Sequence, residues 1–263
     1  MLTHVAIEKL LVKRTDREFL AYITAINLTL DNLIVLSEAF LHPDELRYFM
    51  SLRVPRAQHS YLLGRYAAKM AVGAYINNPV FTDIRIYPGV FNQPILQLQN
   101  VRNVQLSIAH SGEMGIAIVF PEDHPMGVDV EIISREKSET IKQIITEKEL
   151  GRLFLLNVDT DIALTILWTI KEALSKIMRT GLMTPFQLYE VADVEYKDEV
   201  AIGYFTNFPQ YKSLSWISDH HAWSIVLPKN SQVDFAAINH FRQTLNSVSS
   251  DALLSNAQPI LSY

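Results

Sequence analysis

The chain has 263 residues, 49% of them apolar and 19% charged, with a net charge of −5. That composition excludes a disordered chain and predicts a sizeable core, in one large domain or two of about 130 residues; the acidic balance disfavours nonspecific nucleic-acid binding. The absence of cysteine excludes disulfides, thiolate metal sites and thiol nucleophiles. No run reaches the ~18 apolar residues of a membrane span, and no basic-then-apolar leader opens the sequence. The expectation is therefore a soluble cytoplasmic protein with no membrane or nucleic-acid partner.

In chain order, residues 20–27 read as a strand. His42-Pro43-Asp44-Glu45 reads as a helix start, with proline and acids in the first turn. Tyr61, Leu62, Tyr66, Met70 and Tyr75 recur near helical period and predict a long helix over 56–75, ended at Asn77-Asn78-Pro79. Strands follow at 84–87, 95–96, 104–108 and 115–119, with a Pro88-Gly89 turn after the first. The polar, proline-bounded stretch 121–125 is the expected junction between two halves.

Beyond it, 128–131 reads as a strand, and 138–156 and 160–179 as helices. Gly181 stands as a stop signal just past the second helix. Strands are expected at 187–191, 200–205, 213–217 and 223–227. The remainder, 231–263, reads as a peripheral tail with a helix-like start. Each half thus has a long helix followed by strands. The expected fold class is α+β: two similar α+β halves, 1–122 and 123–230, related by pseudo-twofold symmetry, with the site in the cleft between them.

Two segments carry the chemistry. In Gly127-Val128-Asp129-Val130-Glu131, a strand places both carboxylates on one face and the valines on the other. They are either surface acids on a strand edge or a metal site, because paired acids on one face repel unless a cation neutralises them. In Trp168–Lys176, Glu172 and Lys176 are one helical turn apart, which fits a surface ion pair or groups lining a cleft beside the Leu167, Ile170, Leu174, Ile177 stripe. Together they offer three carboxylates and an ammonium, a donor set suited to Mg²⁺ with substrate phosphates.

His110, in Leu106-Ser107-Ile108-Ala109-His110-Ser111-Gly112, sits where a strand ends in small residues. It is either a hydrogen-bonded structural residue or a phosphate donor. Arg47, Arg53, Arg56, Arg65 and Lys69 flank or occupy the first long helix, as solvated charges or as a phosphate-binding cluster. The glycine-rich phosphate loops, H-E-x-x-H and G-x-S-x-G are all absent, which argues against nucleotide hydrolases of the P-loop kind, Rossmann cofactors, zinc peptidases and serine hydrolases.

Taken in order, Leu62-Leu63-Gly64-Arg65, Asn92-Gln93-Pro94, Leu106–Gly112, Gly127–Glu131 and Trp168–Lys176 followed by Gly181-Leu182 resemble the 4′-phosphopantetheinyl transferases of the surfactin (Sfp) type, over roughly 40–230. The last two motifs, with their order and spacing, are the specific ones. The resemblance implies transfer of the phosphopantetheine arm of coenzyme A to a serine of an acyl- or peptidyl-carrier protein, by a monomer, in fatty-acid, polyketide or nonribosomal-peptide synthesis. It implies Asp129, Glu131 and Glu172 as Mg²⁺ ligands, Glu172 as the base or neighbour of a metal-bound water, and Lys176 on the α-phosphate. It implies His110 on coenzyme A phosphates, Arg47 with Arg53 or Arg56 on the 3′-phosphate, and Gln93, Pro94 and Ser107 along the nucleotide pocket.

Three positions depart from the family pattern: Ala109 for a serine, Asn92-Gln93 for Gly-Lys or Gly-Arg, and Arg179 for a glycine. None is an expected metal ligand. They give limited support to a second reading, a non-catalytic scaffold that binds a carrier domain or nucleotide. A third, another metal-dependent phosphotransferase, has no further nucleotide motif behind it.

Overall fold

A computed structural model describes residues 4–77, 80–153 and 158–246. The chain opens with an antiparallel pair, β1 (Val5–Lys13) and β2 (Glu18–Asn27), then three helices, α1 (Leu30–Phe40), α2 (Pro43–Ser51) and α3 (Pro55–Ile76). A small hairpin follows, β3 (Arg85–Pro88) and β4 (Pro94–Gln97), and then a longer one, β5 (Val104–Ser111) and β6 (Met114–Pro121). The second half runs β7 (Gly127–Ile132), α4 (Arg135–Ile141), α5 (Glu147–Leu153), α6 (Thr160–Met178), β8 (Val191–Lys197), β9 (Val200–Phe205), β10 (Tyr211–Ser218) and β11 (His221–Pro228). The two-residue β12 (Gln232–Val233) and α7 (Phe235–Leu245) follow it.

The strands form two five-stranded antiparallel sheets, ordered β12-β1-β2-β6-β5 and β7-β11-β10-β9-β8. The chain takes the same path in both. β2 leads through α3 to the hairpin β5–β6, whose second strand returns to pair with β2. β7 leads through α6 to β10–β11, whose second strand returns to pair with β7. The fold is α+β, as expected.

Alternation along the strands builds four layers. Ala21, Ile23, Ile116 and Ile118 of the first sheet meet Val128, Val130, Trp216, Trp223 and Ile225 of the second in one central core. The opposite face of the first sheet, with Ile26, Ala117 and Val119, packs against α1–α3. The opposite face of the second, with Val191, Ala201, Ala222 and Val226, packs against α4–α6. Trp216 and Trp223 lie parallel with ring centroids 6.5 Å apart; each aromatic of this size buries on the order of 200 Å².

Several elements differ from expectation for identifiable reasons. The predicted helix 138–156 is two short helices, because Thr146 and Glu149 form a capping box that starts α5: Glu149 N–H donates to Thr146 Oγ1 and Thr146 N–H to Glu149 Oε2. Residues 154–156 lie outside the described residues. The stretch 187–191 is one 3₁₀ turn, Phe186–Tyr189, and the strand begins only at Val191. Asn77, left-handed at φ 54, ends α3, while Asn78 and Pro79 are outside the described residues. The stop of α6 is Arg179, itself left-handed at φ 55, ahead of Gly181. Finally, 232–245 is not peripheral. β12 extends the first sheet at β1, and Ile238, Phe241 and Leu245 of α7 are buried in the central core. Residues 247–263 are outside the described residues.

Candidate active site

β5 ends the first sheet and β7 begins the second, and these two edge strands lie side by side. Serine hydroxyls join them. Ser107 Oγ accepts from Val128 N–H at 3.1 Å, and Ser111 Oγ accepts from Ile132 N–H at 3.1 Å. Both serines are buried, so each outward N–H of β7 that meets them is satisfied without a continuous ladder. Ala109 is buried on the same face of β5, between them. The departure at 109 therefore removes the middle hydroxyl of this row.

On β7, Val128 and Val130 point into the central core, and Gly127, Asp129 and Glu131 point to the α6 side. Gly127 is required there. A Cβ at this position would stand 2.1 Å from the Ala173 carbonyl oxygen of α6, a backbone atom that cannot yield without moving the helix. This close approach brings Lys176 onto β7: its Nζ donates to Asp129 Oδ1 and to Val128 O, both at 2.8 Å. Asp129 Oδ2 is buried and has no hydrogen-bond partner among the described residues. Glu131 Oε2 accepts from Ser111 Oγ at 2.8 Å and forms an ion pair with Lys137 of α4.

Glu172 is half-buried on α6. Burial pushes its carboxyl up to about 7, with the charge of Asp129 the next cause and Lys176 opposing. Burial likewise pushes Asp129 up to about 6, against the pull of Lys176. The two carboxyls and Glu131 sense one another, as a cluster of like charges must. His110 is exposed at the groove, but desolvation by the groove walls, then Lys176, holds it below the usual imidazole range.

Because both carboxyls are raised in the folded state, their contribution to stability is complete below about pH 4. It is lost as pH rises through about 6 for Asp129 and about 7 for Glu172. Glu172→Gln in EDTA is therefore expected to melt with wild type at pH 4.5 and above it at pH 8. The shift from 4.5 to about 7 corresponds to a gain of at most about 3 kcal/mol, with about 2–4 °C for each kcal/mol at this chain length. Equal melting at pH 8 would show that Glu172 ionises at no cost.

Three cavities follow the junction. One of about 360 Å³ is lined by Arg65, Asn92, Pro94, His110, Asp129 and Lys176, among others. A second, of about 280 Å³, shares Asn92, Pro94 and Lys176 with the first and adds Phe91, Gln93, Ser107 and Arg179. A third, of about 710 Å³, shares His110 with the first and is lined by Arg56, His59, Ser111, Glu131 and Lys137. Together they make a groove in which Asn92, Pro94, Ile108 and Lys176 join the first cavity to the second, and Ser60 and His110 join it to the third.

The structure thus gathers Asp129, Glu131, Lys176, His110, Gln93, Pro94, Ser107 and Arg56 along one groove, with Glu172 beside Asp129. Gln93 folds back so that its Oε1 accepts the Phe91 N–H at 2.9 Å, and Asn92 is left-handed at the hairpin tip. Arg47 and Arg53 line none of these cavities. Arg47 is exposed and paired with Asp44. The arginine at the Asp129 cavity is Arg65, held by Glu45 at 3.4 Å and stacked 4.7 Å over Tyr61. Lys137 and His59 are groove residues that the sequence reading did not mark; the only signal for Lys137 is a lysine six residues beyond Glu131.

Residues 125–236 match the family model of the 4′-phosphopantetheinyl transferase superfamily. Over that span the chain is similar to this superfamily. The match begins just before β7 and includes all of α6, the two elements that carry Asp129, Glu131, Glu172 and Lys176. The expected resemblance holds at the level of the superfamily. Comparison with curated proteins finds no match.

Similar solved structures include a holo-(acyl-carrier-protein) synthase from Bacillus anthracis in complex with CoA (3′,5′-ADP), at 24% identity over 46% of this chain and 96% of that one, TM-score 0.33. Another is the holo-[acyl-carrier-protein] synthase of Neisseria meningitidis, at 21% identity over 46% and 99%, TM-score 0.31. A third is the Thermotoga maritima enzyme of the same name, at 21% over 49% and 69%, TM-score 0.29. No described helix is long and apolar enough to cross a membrane.

Proposed function

We propose that the chain is a Mg²⁺-dependent 4′-phosphopantetheinyl transferase of the surfactin type, moving the arm of coenzyme A to a carrier-protein serine. The observation that carries this reading is Asp129: a buried carboxylate held on one oxygen by Lys176, its other oxygen unpartnered, facing a groove that spans both halves.

The residues fit the metal. Among the described residues, no three His, Asp or Glu side chains stand together as a closed cage. Mg²⁺ does not ask for one; it takes one or two carboxylates and completes its shell with water and substrate phosphates. Asp129 Oδ2 is a free oxygen of the right hardness. Asp129, with Glu131 or Glu172 as a second carboxylate, would hold the ion, which would neutralise charge developing on the pyrophosphate.

The chain's own groups supply the rest. Glu172, or a metal-bound water next to it, would take the serine proton as the hydroxyl oxygen attacks the β-phosphorus. The bond from that phosphorus to the bridging oxygen breaks, and adenosine 3′,5′-bisphosphate leaves. Lys176, a shared wall of two cavities, would stabilise charge on the leaving phosphate. His110, held neutral, would donate an N–H to a phosphate oxygen. Arg65 and Arg56 are the arginines on the groove for the remaining phosphate charge.

Incubation with coenzyme A, Mg²⁺ and a panel of apo carrier proteins from fatty-acid, polyketide and nonribosomal-peptide systems tests the reading by intact mass. The expected result is a gain of one phosphopantetheine arm on at least one carrier, lost with EDTA. No gain on any carrier despite coenzyme A binding would leave a binding protein in its place.

A further inference from the structure

Each strand acid of β7 already has an ammonium partner from a different helix. Lys176 of α6 holds Asp129 and also the Val128 carbonyl, so its place is fixed by backbone as well as charge. Lys137 is held differently. It reaches from the first turn of α4 to Glu131 Oε2 and to Ser111 Oγ at 3.3 Å, with no backbone carbonyl of the described residues among its hydrogen-bond partners. Its side chain is 44% exposed, and it borders the largest cavity of the groove.

Glu131 Oε2 therefore carries two donors, Ser111 and Lys137, and only one of them is able to swing away. Ser111 is buried and pinned by Ile132 N–H. A divalent ion that used this oxygen would have to displace the lysine.

We propose that Lys137 is a positioning residue that occupies Glu131 Oε2 in the resting protein and keeps metal off that carboxylate oxygen until substrate phosphate arrives. This rests on the reading of the site as a Mg²⁺-dependent one. The ammonium supplies the positive charge that Glu131 needs, so the free protein gains little by binding a lone cation. A pyrophosphate in the same cavity would offer the ammonium an anionic alternative, which would free Glu131 Oε2 to help hold the ion. Loading then becomes ordered, with the metal arriving with the nucleotide rather than before it.

The test is Mg²⁺ binding by calorimetry to wild type, Lys137→Gln and Lys137→Arg, each with and without adenosine 3′,5′-bisphosphate, alongside melting temperatures in EDTA. Removing an exposed ion pair is expected to tighten Mg²⁺ binding to the free protein about fivefold in Lys137→Gln, with Lys137→Arg close to wild type. With nucleotide present, the difference should shrink. Unchanged or weaker Mg²⁺ binding by Lys137→Gln, with wild type binding Mg²⁺ in the presence of nucleotide, overturns this proposal alone. No Mg²⁺ binding to any form, even with nucleotide, overturns it together with the reading it rests on.

Discussion

Asp129→Ala should reduce transfer by roughly a thousandfold or more, the scale on which loss of a charge-stabilising group at a reacting centre is felt. The fold should survive. Asp129 is buried with one oxygen unpartnered and its carboxyl raised to about 6, so at pH 8 its ionised form costs the resting protein stability. Lys176 keeps the Val128 carbonyl after the change and is exposed enough to find water. The expected melting temperature in EDTA at pH 8 is at or above that of wild type. Mg²⁺, which should raise the melting temperature of wild type with nucleotide bound, should have little effect on the variant. Turnover near the wild-type rate would sink the assignment of Asp129 to the metal. A loss of activity together with a collapsed melting transition would mean that its role is in the fold.

The part of the site on β7 and α6 was legible because its pattern is local. Two valines alternating with two acids can be satisfied only by a strand with one face in a core, and Gly127 ahead of them marks a close backbone approach. What the local pattern could not supply was the partner of each acid. Lys137 and Lys176 are separated from their carboxylates by a helix start and by 47 residues. Similarly, Arg47, Arg53, Arg56 and Arg65 look alike in sequence, and only the packing of α3 against β5 puts Arg65 at the Asp129 cavity while Arg47 faces outward.

β1 escaped the sequence reading for a related reason. Glu8 and Lys9 interrupt its alternation, yet Glu8 shares a face with Ala6 and Leu10. It is tolerated there because His240 of α7, 232 residues away, pairs with it. A polar residue on an inward face is unreadable when its partner lies at the other end of the chain. α1 was missed although Thr29 caps it and Leu30, Leu33 and Ser37 trace one face; a serine on the buried stripe, back-bonded to the Ile34 carbonyl, hid the period.

The largest loss of stability is expected at a pair that the sequence hides almost completely. Lys171, next to Glu172 but facing away from the groove, is fully buried with Glu149, Nζ to oxygen 2.8 Å. Glu149 also accepts the backbone N–H of Val191 on one oxygen and of Thr146 on the other. The first half repeats this arrangement. Glu45, third residue of α2, pairs with buried Lys69 of α3 at 2.6 Å and accepts the N–H groups of Ile86 and His42. In both halves a capping-box glutamate ties a short helix, the long helix and the first strand after it into one buried knot. Lys171→Met should lower stability by about 3–5 kcal/mol, because it strands a carboxylate with no water and no cation. Chemical denaturation measures this directly. Lys171→Met with Glu149→Gln should recover part of the loss, since the amide oxygen still serves one backbone donor and no charge remains buried. A single variant as stable as wild type would mean that the buried pair contributes nothing to the fold. The knot positions α6, and α6 carries Glu172 and Lys176 to β7, so a destabilised Lys171 variant should also lose transfer. The first-half partner Lys69 is followed by Met70 where the second half has Glu172. The same scaffold therefore occurs twice, and only one copy carries the acid.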